Sequence, residues 1–429
     1  MTRLRRELGL LPLVALIFFN VSGGPYGIED MVPSFGPGLA LTLLLVVPLL
    51  WSLPVALAMA ELSSAMPDEG GYVTWTTRAF GPFWGFQVGW WSWIDSFVDV
   101  AVYPALFVEY VRYWRPAMTG GERWTLAIVF IVALTVLNLI GVRPTGVSAV
   151  VLAVLALTPV ALLVAVGAMS MRVVPWTPYV AGEESLVAGL GLGLAVVMWN
   201  YSGWDTPSTV LGEARAPERA FPRALFVALA VISGAYVLPV AVALGNGGVP
   251  WTEWTTGSLP RVAEGIGRAW LAHALAVGAV LSTAGLFLSL LLTNSRLPYV
   301  LARNGSMPGA LAWVHPRFGT PWPAVVLSAA LYAACAVFSF KELIVLNVWL
   351  YSLALLVELA AFVWLRVREP EMARPWRVPG GVGVAAAVAT APAVFALLAM
   401  ATAGWRNTAA GVVAALTGPL AWAMFRPRG

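Results

Sequence analysis

From Leu8 almost to the C-terminus, the sequence returns twelve times to a long apolar run. A hydrocarbon core about 30 Å thick is crossed by about 20 mostly apolar residues in helical form. Inside such a core the backbone N–H and C=O groups find no water, so a helix that satisfies them within its own segment is the natural solution. The runs predict helices over 9–35, 38–63, 84–112, 124–141, 146–170, 186–212, 221–244, 268–296, 322–340, 342–365, 381–403 and 407–425. Across 429 residues only 11% are charged and 60% are hydrophobic, whereas a soluble chain carries roughly 25% charged residues. The expected class is an all-α membrane protein with twelve transmembrane helices, embedded in a lipid bilayer and without a sizeable soluble domain.

The formal charge of +4 speaks here of topology rather than of nucleic acid. With the N-terminus in the cytoplasm, seventeen of the 25 Lys and Arg fall in cytoplasmic loops and tails, Arg3, Arg78, Arg215, Arg296, Arg366 and Arg428 among them. Eight, including Arg112, Arg268, Lys341 and Arg406, fall outside. That bias predicts a multi-pass protein of the cell membrane with both termini inside. A single cysteine, Cys335, forbids an intrachain disulfide and a thiol metal cluster. The basic N-terminus ahead of an apolar run imitates a signal peptide, but Ser22-Gly23-Gly24-Pro25 leads into Glu29 and Asp30, so the run is read as the first span.

Two interruptions organise the rest. Ser22-Gly23-Gly24-Pro25 breaks the first run near its middle, because glycine favours unwinding and an internal proline removes a backbone donor. Tyr201-Ser202-Gly203-Trp204-Asp205-Thr206-Pro207 does the same in the sixth. Five spans separate them, and five is odd, so the second copy enters the membrane from the opposite face. That is the arrangement of an inverted repeat with a midplane binding site. The expected halves are 1–170 (helices one to five) and 186–366 (helices six to ten). The charged, proline-rich stretch from Arg366 to Pro379 sets off two accessory helices in 367–429.

At these residues the chain resembles the amino acid, polyamine and organocation transporter superfamily, and within it looks most like the polyamine-uptake permeases best known from plants. The resemblance is carried by Val21 to Asp30, Asp99 with Tyr103-Pro104, Trp199-Asn200 through Trp204-Asp205 to Gly212-Glu213, and Leu355 to Glu358 followed by Phe362, Leu365-Arg366 and Arg374-Pro375. It implies the leucine-transporter-like fold, a 5+5 inverted repeat with helices 1 and 6 broken, and alternating access around a central site. Two departures stand out. The eighth span reads Ser289 to Ser295 without the acidic residues usual in plant-like relatives, and Thr158-Pro159 stands where some proton-coupled relatives place a lysine.

Charges at membrane depth are costly unless paired or facing a polar cavity, which makes each one a functional candidate. Asp95 and Asp99 share one helical face with Ser92 and Tyr103. Asp205 lies in the second break, Glu29 and Asp30 follow the first, and Glu358 lies within the tenth span. No Lys or Arg is placed centrally to neutralise them, which suits a cationic substrate or transported protons. Trp204, Tyr201, Trp199 and Tyr26 offer aromatic faces for an ammonium. In amino-acid members a glycine-serine-glycine turn holds the substrate carboxylate through backbone N–H groups; Pro25 offers none, which tilts the site towards amines.

The expected substrate residues are Ser22, Gly23, Gly24, Tyr26, Asp99, Tyr103, Tyr201, Ser202, Gly203, Trp204 and Asp205. Asp99, Asp205 and Glu358 are the proton-coupling candidates, and Ser282, Thr283 and Ser22 leave a sodium site open. The substrate is a small amine or an amino acid. No cofactor, metal or nucleic-acid partner is expected. A channel lacks its filter here, and His273, His315 and one cysteine give an enzyme little to work with.

Overall fold

The computed structural model describes residues 4–181, 197–255, 257–266, 268–336 and 340–426, the side chains of 340–346 and 348 excepted. Residues 186–196 of the sixth expected span, 337–339 of the ninth, Arg3, Arg428 and the Lys341 side chain lie outside that description. Among the described residues every regular element is helical, apart from one isolated bridge between Leu8 and Ala214.

Among the described residues, eight helices are long and apolar enough to cross a membrane: Pro37–Ala65, Gly120–Leu139, Val142–Ala168, Pro217–Asn246, Ala269–Arg303, Trp349–Arg368, Val382–Thr402 and Trp405–Phe425. Leu10–Val21 and Trp322–Cys335 are shorter apolar helices. The third expected span appears as Pro82–Asp99 followed by Val102–Val111. Val100 and Ala101 between them form a turn with right-handed helical dihedrals, and Tyr103 N–H donates to Val100 O, so the second piece follows directly on the first.

Burial grades these helices from centre to edge. In Ala269–Arg303, 78% of the apolar window is buried, against 17% in Gly120–Leu139 and in Trp405–Phe425. The first is therefore a core helix, and the other two expose Val129, Val132, Val136, Val413, Leu416 and Leu420. Such an apolar exterior is unfavourable in water and is well solvated by lipid tails. Leu10–Val21 packs against Pro217–Asn246 and Val142–Ala168, while Phe340–Arg368 lies between Pro82–Asp99 and Val382–Thr402.

Leu10–Val21 stops where Ser22 turns extended, at φ −151° and ψ 143°, and Gly24 takes φ 83° before the short helix Met31–Phe35. A helical turn over 197–200 likewise ends at Tyr201. Gly203 sits at φ 96°, and Thr206–Glu213 continues as a 3-10 helix. Eight residues is long for that form, whose hydrogen bonds are poorer than those of an α-helix. Gly203 is needed twice over: its φ disfavours any side chain, and a Cβ would collide with the Asn20 carbonyl oxygen. The two interruptions thus meet backbone to backbone.

Both ends of the described chain are tied to the helices by specific contacts. The Glu7 and Leu8 N–H groups donate to Glu213 O at 2.9 and 3.0 Å, and Arg215 N–H donates to Leu8 O at 2.8 Å. Near the C-terminus, Trp422 packs on Phe83 at the start of the Pro82–Asp99 helix.

Candidate functional site

The cavity at the centre is walled by both interruptions, by the consecutive helices Pro82–Asp99 and Val102–Val111 and by residues of Ala269–Asn294 and Phe340–Arg368. Of the residues expected from the sequence, Ser22, Gly23, Tyr26, Asp99, Tyr103, Ser202, Gly203 and Asp205 line it. Gly24, Tyr201, Trp204 and Glu358 do not.

Two of the expected aromatic residues, Tyr201 and Trp204, lie outside the lining. Trp204 is fully buried with its Nε1–H donating to Tyr201 O at 2.7 Å. Tyr201 Oη donates to Leu44 O at 3.0 Å, and its ring lies edge-on to Tyr236 with centroids 5.1 Å apart. These rings bond and cover the unwound backbone, whose freed groups must find partners in a nonaqueous interior. Aromatic faces for the cavity come instead from Tyr26, Tyr103, Tyr110 and Trp199.

Several lining residues escaped the sequence argument. Tyr351 Oη donates to Asp205 Oδ1 at 2.7 Å and accepts from Gly203 N–H at 3.0 Å, so one hydroxyl fixes both the turn and its carboxylate. Asn347 Nδ2 donates to Asp95 Oδ1 at 3.1 Å. Thr293 Oγ1 donates to Asn20 Oδ1 at 2.8 Å, and Tyr236 Oη donates to Asn200 O at 2.9 Å. Ser282, expected as a sodium-site candidate, donates to the Gly23 carbonyl. Tyr351, Asn347, Thr293, Asn20 and Tyr236 sit inside apolar runs, where a lone Asn, Thr or Tyr carries no local signal.

Four carboxylates line the cavity, those of Asp30, Asp95, Asp99 and Asp205, and no Lys, Arg or His is among the lining residues. The backbone donors of the first interruption are largely spent. Ser22 N–H donates to Phe18 O at 2.6 Å, Gly24 N–H to Ser22 Oγ at 2.9 Å, and Pro25 has none. A carboxylate-bearing ligand would find few hydrogens to accept. Glu358 lies beyond the cavity wall, fully buried, with neither carboxylate oxygen hydrogen-bonded among the described residues.

Away from the cavity, acids are treated differently. Glu213 takes a two-pronged bond from Arg296 at 2.8 and 3.1 Å, both side chains being buried. Glu61 is held by Arg366 through two nitrogens, by Arg374 Nε at 3.1 Å and by Val378 N–H at 2.8 Å. Between the spans, Glu69 pairs with Arg303 at 2.7 Å. Burial, with Glu213 nearby, nevertheless pushes the Glu69 carboxyl up to about 7.

The amino acid permease family model matches residues 8–421. Polyamine transporter PUT1 of Oryza sativa subsp. japonica is 37% identical over 395 residues, covering 90% of this chain and 72% of that protein. Polyamine transporter RMV1 of Arabidopsis thaliana is 36% identical, covering 88% of this chain and 76% of its own length. Branched-chain amino acid permease BcaP of Bacillus subtilis (strain 168) is 26% identical, with 88% and 84% covered.

Proposed function

Because the chain belongs to the amino acid permease family, we propose that it is a secondary active transporter which carries polyamines or related cationic amines across the membrane by alternating access. The observation that carries the substrate class is the cavity itself, with four carboxylates and no basic residue among its lining. Buried acids such as Asp95 and Asp205, in a lining without Lys, Arg or His, attract a ligand that brings positive charge. The relatives named as polyamine transporters support the same choice.

In this proposal twelve spans form a ten-helix core of two inverted five-helix repeats, 1–170 and 186–366, followed by the accessory pair in 367–429. The chain crosses the plasma membrane with both termini in the cytoplasm, in keeping with the bias of basic residues among the loops. Helices one and six are broken at Ser22 to Pro25 and at Ser202-Gly203. The substrate lies against Ser22, Gly23, Tyr26, Asp99, Tyr103, Ser202, Gly203 and Asp205. A proton travels with it, taken up by Asp99, Asp205 or Glu358; the bare carboxyl of Glu358 supports its part in this.

Amino acids are the second substrate class, favoured by the family's own description and by the branched-chain permease among the relatives. The purified protein in liposomes separates the two. Uptake of labelled putrescine or spermidine, driven by an imposed proton gradient and not competed by alanine or leucine, is the expected result. Competition by alanine or leucine but not by putrescine would reverse the substrate order, and uptake driven by sodium alone would sink the proton coupling.

A further inference from the structure

The cavity is long in one direction. Ser92, Asp95, Asp99, Tyr103, Leu106 and Tyr110 all line it from the consecutive helices Pro82–Asp99 and Val102–Val111, at spacings that keep them on one helical face. From Asp99 to Tyr110 is eleven residues, a rise of about 16 Å for a continuous helix. Asp30, just after the first interruption, lines the same cavity as Tyr110.

At this end one group is conspicuous. The Tyr110 hydroxyl is buried without any hydrogen-bond partner in the described structure, although it belongs to a cavity-lining residue. An unpartnered buried hydroxyl costs free energy unless a ligand or water bonds it. Its neighbours are already engaged. Tyr26, whose ring meets that of Tyr110 edge-on at 6.3 Å, donates its hydroxyl to Ala156 O at 3.1 Å. Glu29 accepts from Gly27 N–H at 2.7 Å and from Gly257 N–H at 3.2 Å.

We propose that Tyr110 and Asp30 form a distal subsite which receives the far ammonium of an extended triamine while its other end lies at Asp99. This rests on the polyamine reading above and adds a chain-length preference to it. An ammonium donates to the Tyr110 oxygen, faces the Tyr26 and Tyr110 rings, and is balanced by the Asp30 carboxylate. Leu106, between the two poles, meets the methylenes.

The lengths agree. An extended triamine of the four-plus-three carbon kind has nine bonds between its end nitrogens, about 11 Å at the advance per bond of an extended backbone. A hydrogen bond of about 3 Å at each end brings that to about 17 Å, comparable with the axial separation of the Asp99 and Tyr110 Cα positions, about 16 Å for a continuous helix. A four-carbon diamine reaches about 6 Å and occupies the Asp99 pole alone.

The test is liposome uptake of putrescine and spermidine by the unaltered protein, Tyr110→Phe and Asp30→Asn, with thermal unfolding to establish that each variant is folded. Tyr110→Phe is expected to raise the KM for spermidine about tenfold, the size of one hydrogen bond to a charged group, and to leave putrescine unchanged. Asp30→Asn, at an exposed position that tolerates change, is expected to act in the same direction and decides the matter if Tyr110→Phe fails to fold. Equal effects on both amines, or none on either, overturn the distal subsite while the polyamine assignment stands. Failure of the unaltered protein to take up either amine removes that assignment and the subsite with it.

Discussion

Among the described residues, two regions of this chain bury acids and surround them in opposite ways. Away from the cavity, Glu213 and Glu61 are each gripped by arginine, and Glu61 by two arginines and a backbone N–H as well. In the central cavity Asp95, Asp99 and Asp205 have neutral partners or lie open to the void, and Glu358 behind them has no hydrogen bond among the described residues. A paired acid makes architecture, because removing its cation strands a buried charge. An acid left without a cation keeps an opening for a charge that comes and goes. The difference teaches where to look for cargo in a protein whose every deep charge is expensive.

The comparison breaks most visibly at Arg366. Arg366→Ala leaves Glu61 short of its two-pronged partner, and loss of one member of a buried pair costs about 3–5 kcal/mol. The folded fraction and the melting temperature in detergent are expected to fall sharply. If Arg366→Ala melts like the unaltered protein, the arginine layer is not structural.

Next in size, Asp99→Asn and Asp205→Asn are each expected to lower uptake of cationic substrate about 100-fold with no loss of folded yield. Unchanged affinity in both would show that the site is misplaced. Glu358→Gln separates coupling from binding, since the amide keeps the shape and cannot exchange a proton. Substrate binding measured by thermal shift should persist, while uptake should stop responding to an imposed proton gradient. A variant still driven by protons removes Glu358 from the mechanism.

The smallest effect belongs to Glu69, where an arginine is present and the acid is still strained by burial. Its folded-state value of about 7 lies above the ordinary 4.5, so the folded protein holds this proton more tightly than the unfolded chain. Stability from this group is full below the ordinary carboxylate range and is lost as pH rises through 7. Glu69→Gln is expected to flatten the fall in melting temperature between about pH 5 and 8. An unaltered slope would mean that Glu69 is charged throughout.

Much of this was legible in the residues alone, for reasons that are local. Apolar length identifies the helices, glycine and proline mark where two of them stop, and a spacing of four places Asp95 and Asp99 on one face. What stayed hidden depends on partners far along the chain. Trp204 beside Asp205 has the composition of an ammonium site, yet its ring is turned away, with the indole N–H bonded to Tyr201 O. Tyr351 looked like one more aromatic in an apolar run, and its role comes from residues 146 and 148 positions away. Arg296 reads as a loop charge, but it is fully buried because Glu213, 83 residues earlier, meets it.

Gly203 pressed against the Asn20 carbonyl has a consequence for anyone who would re-engineer the molecule. The seam where the interruptions touch admits no added atom, whereas Asp95, Asp99, Tyr103, Leu106 and Tyr110 all project from two consecutive helices that share no part of the seam. A combinatorial library confined to those five positions would exchange one wall of the cavity as a cassette and leave the close-packed seam untouched.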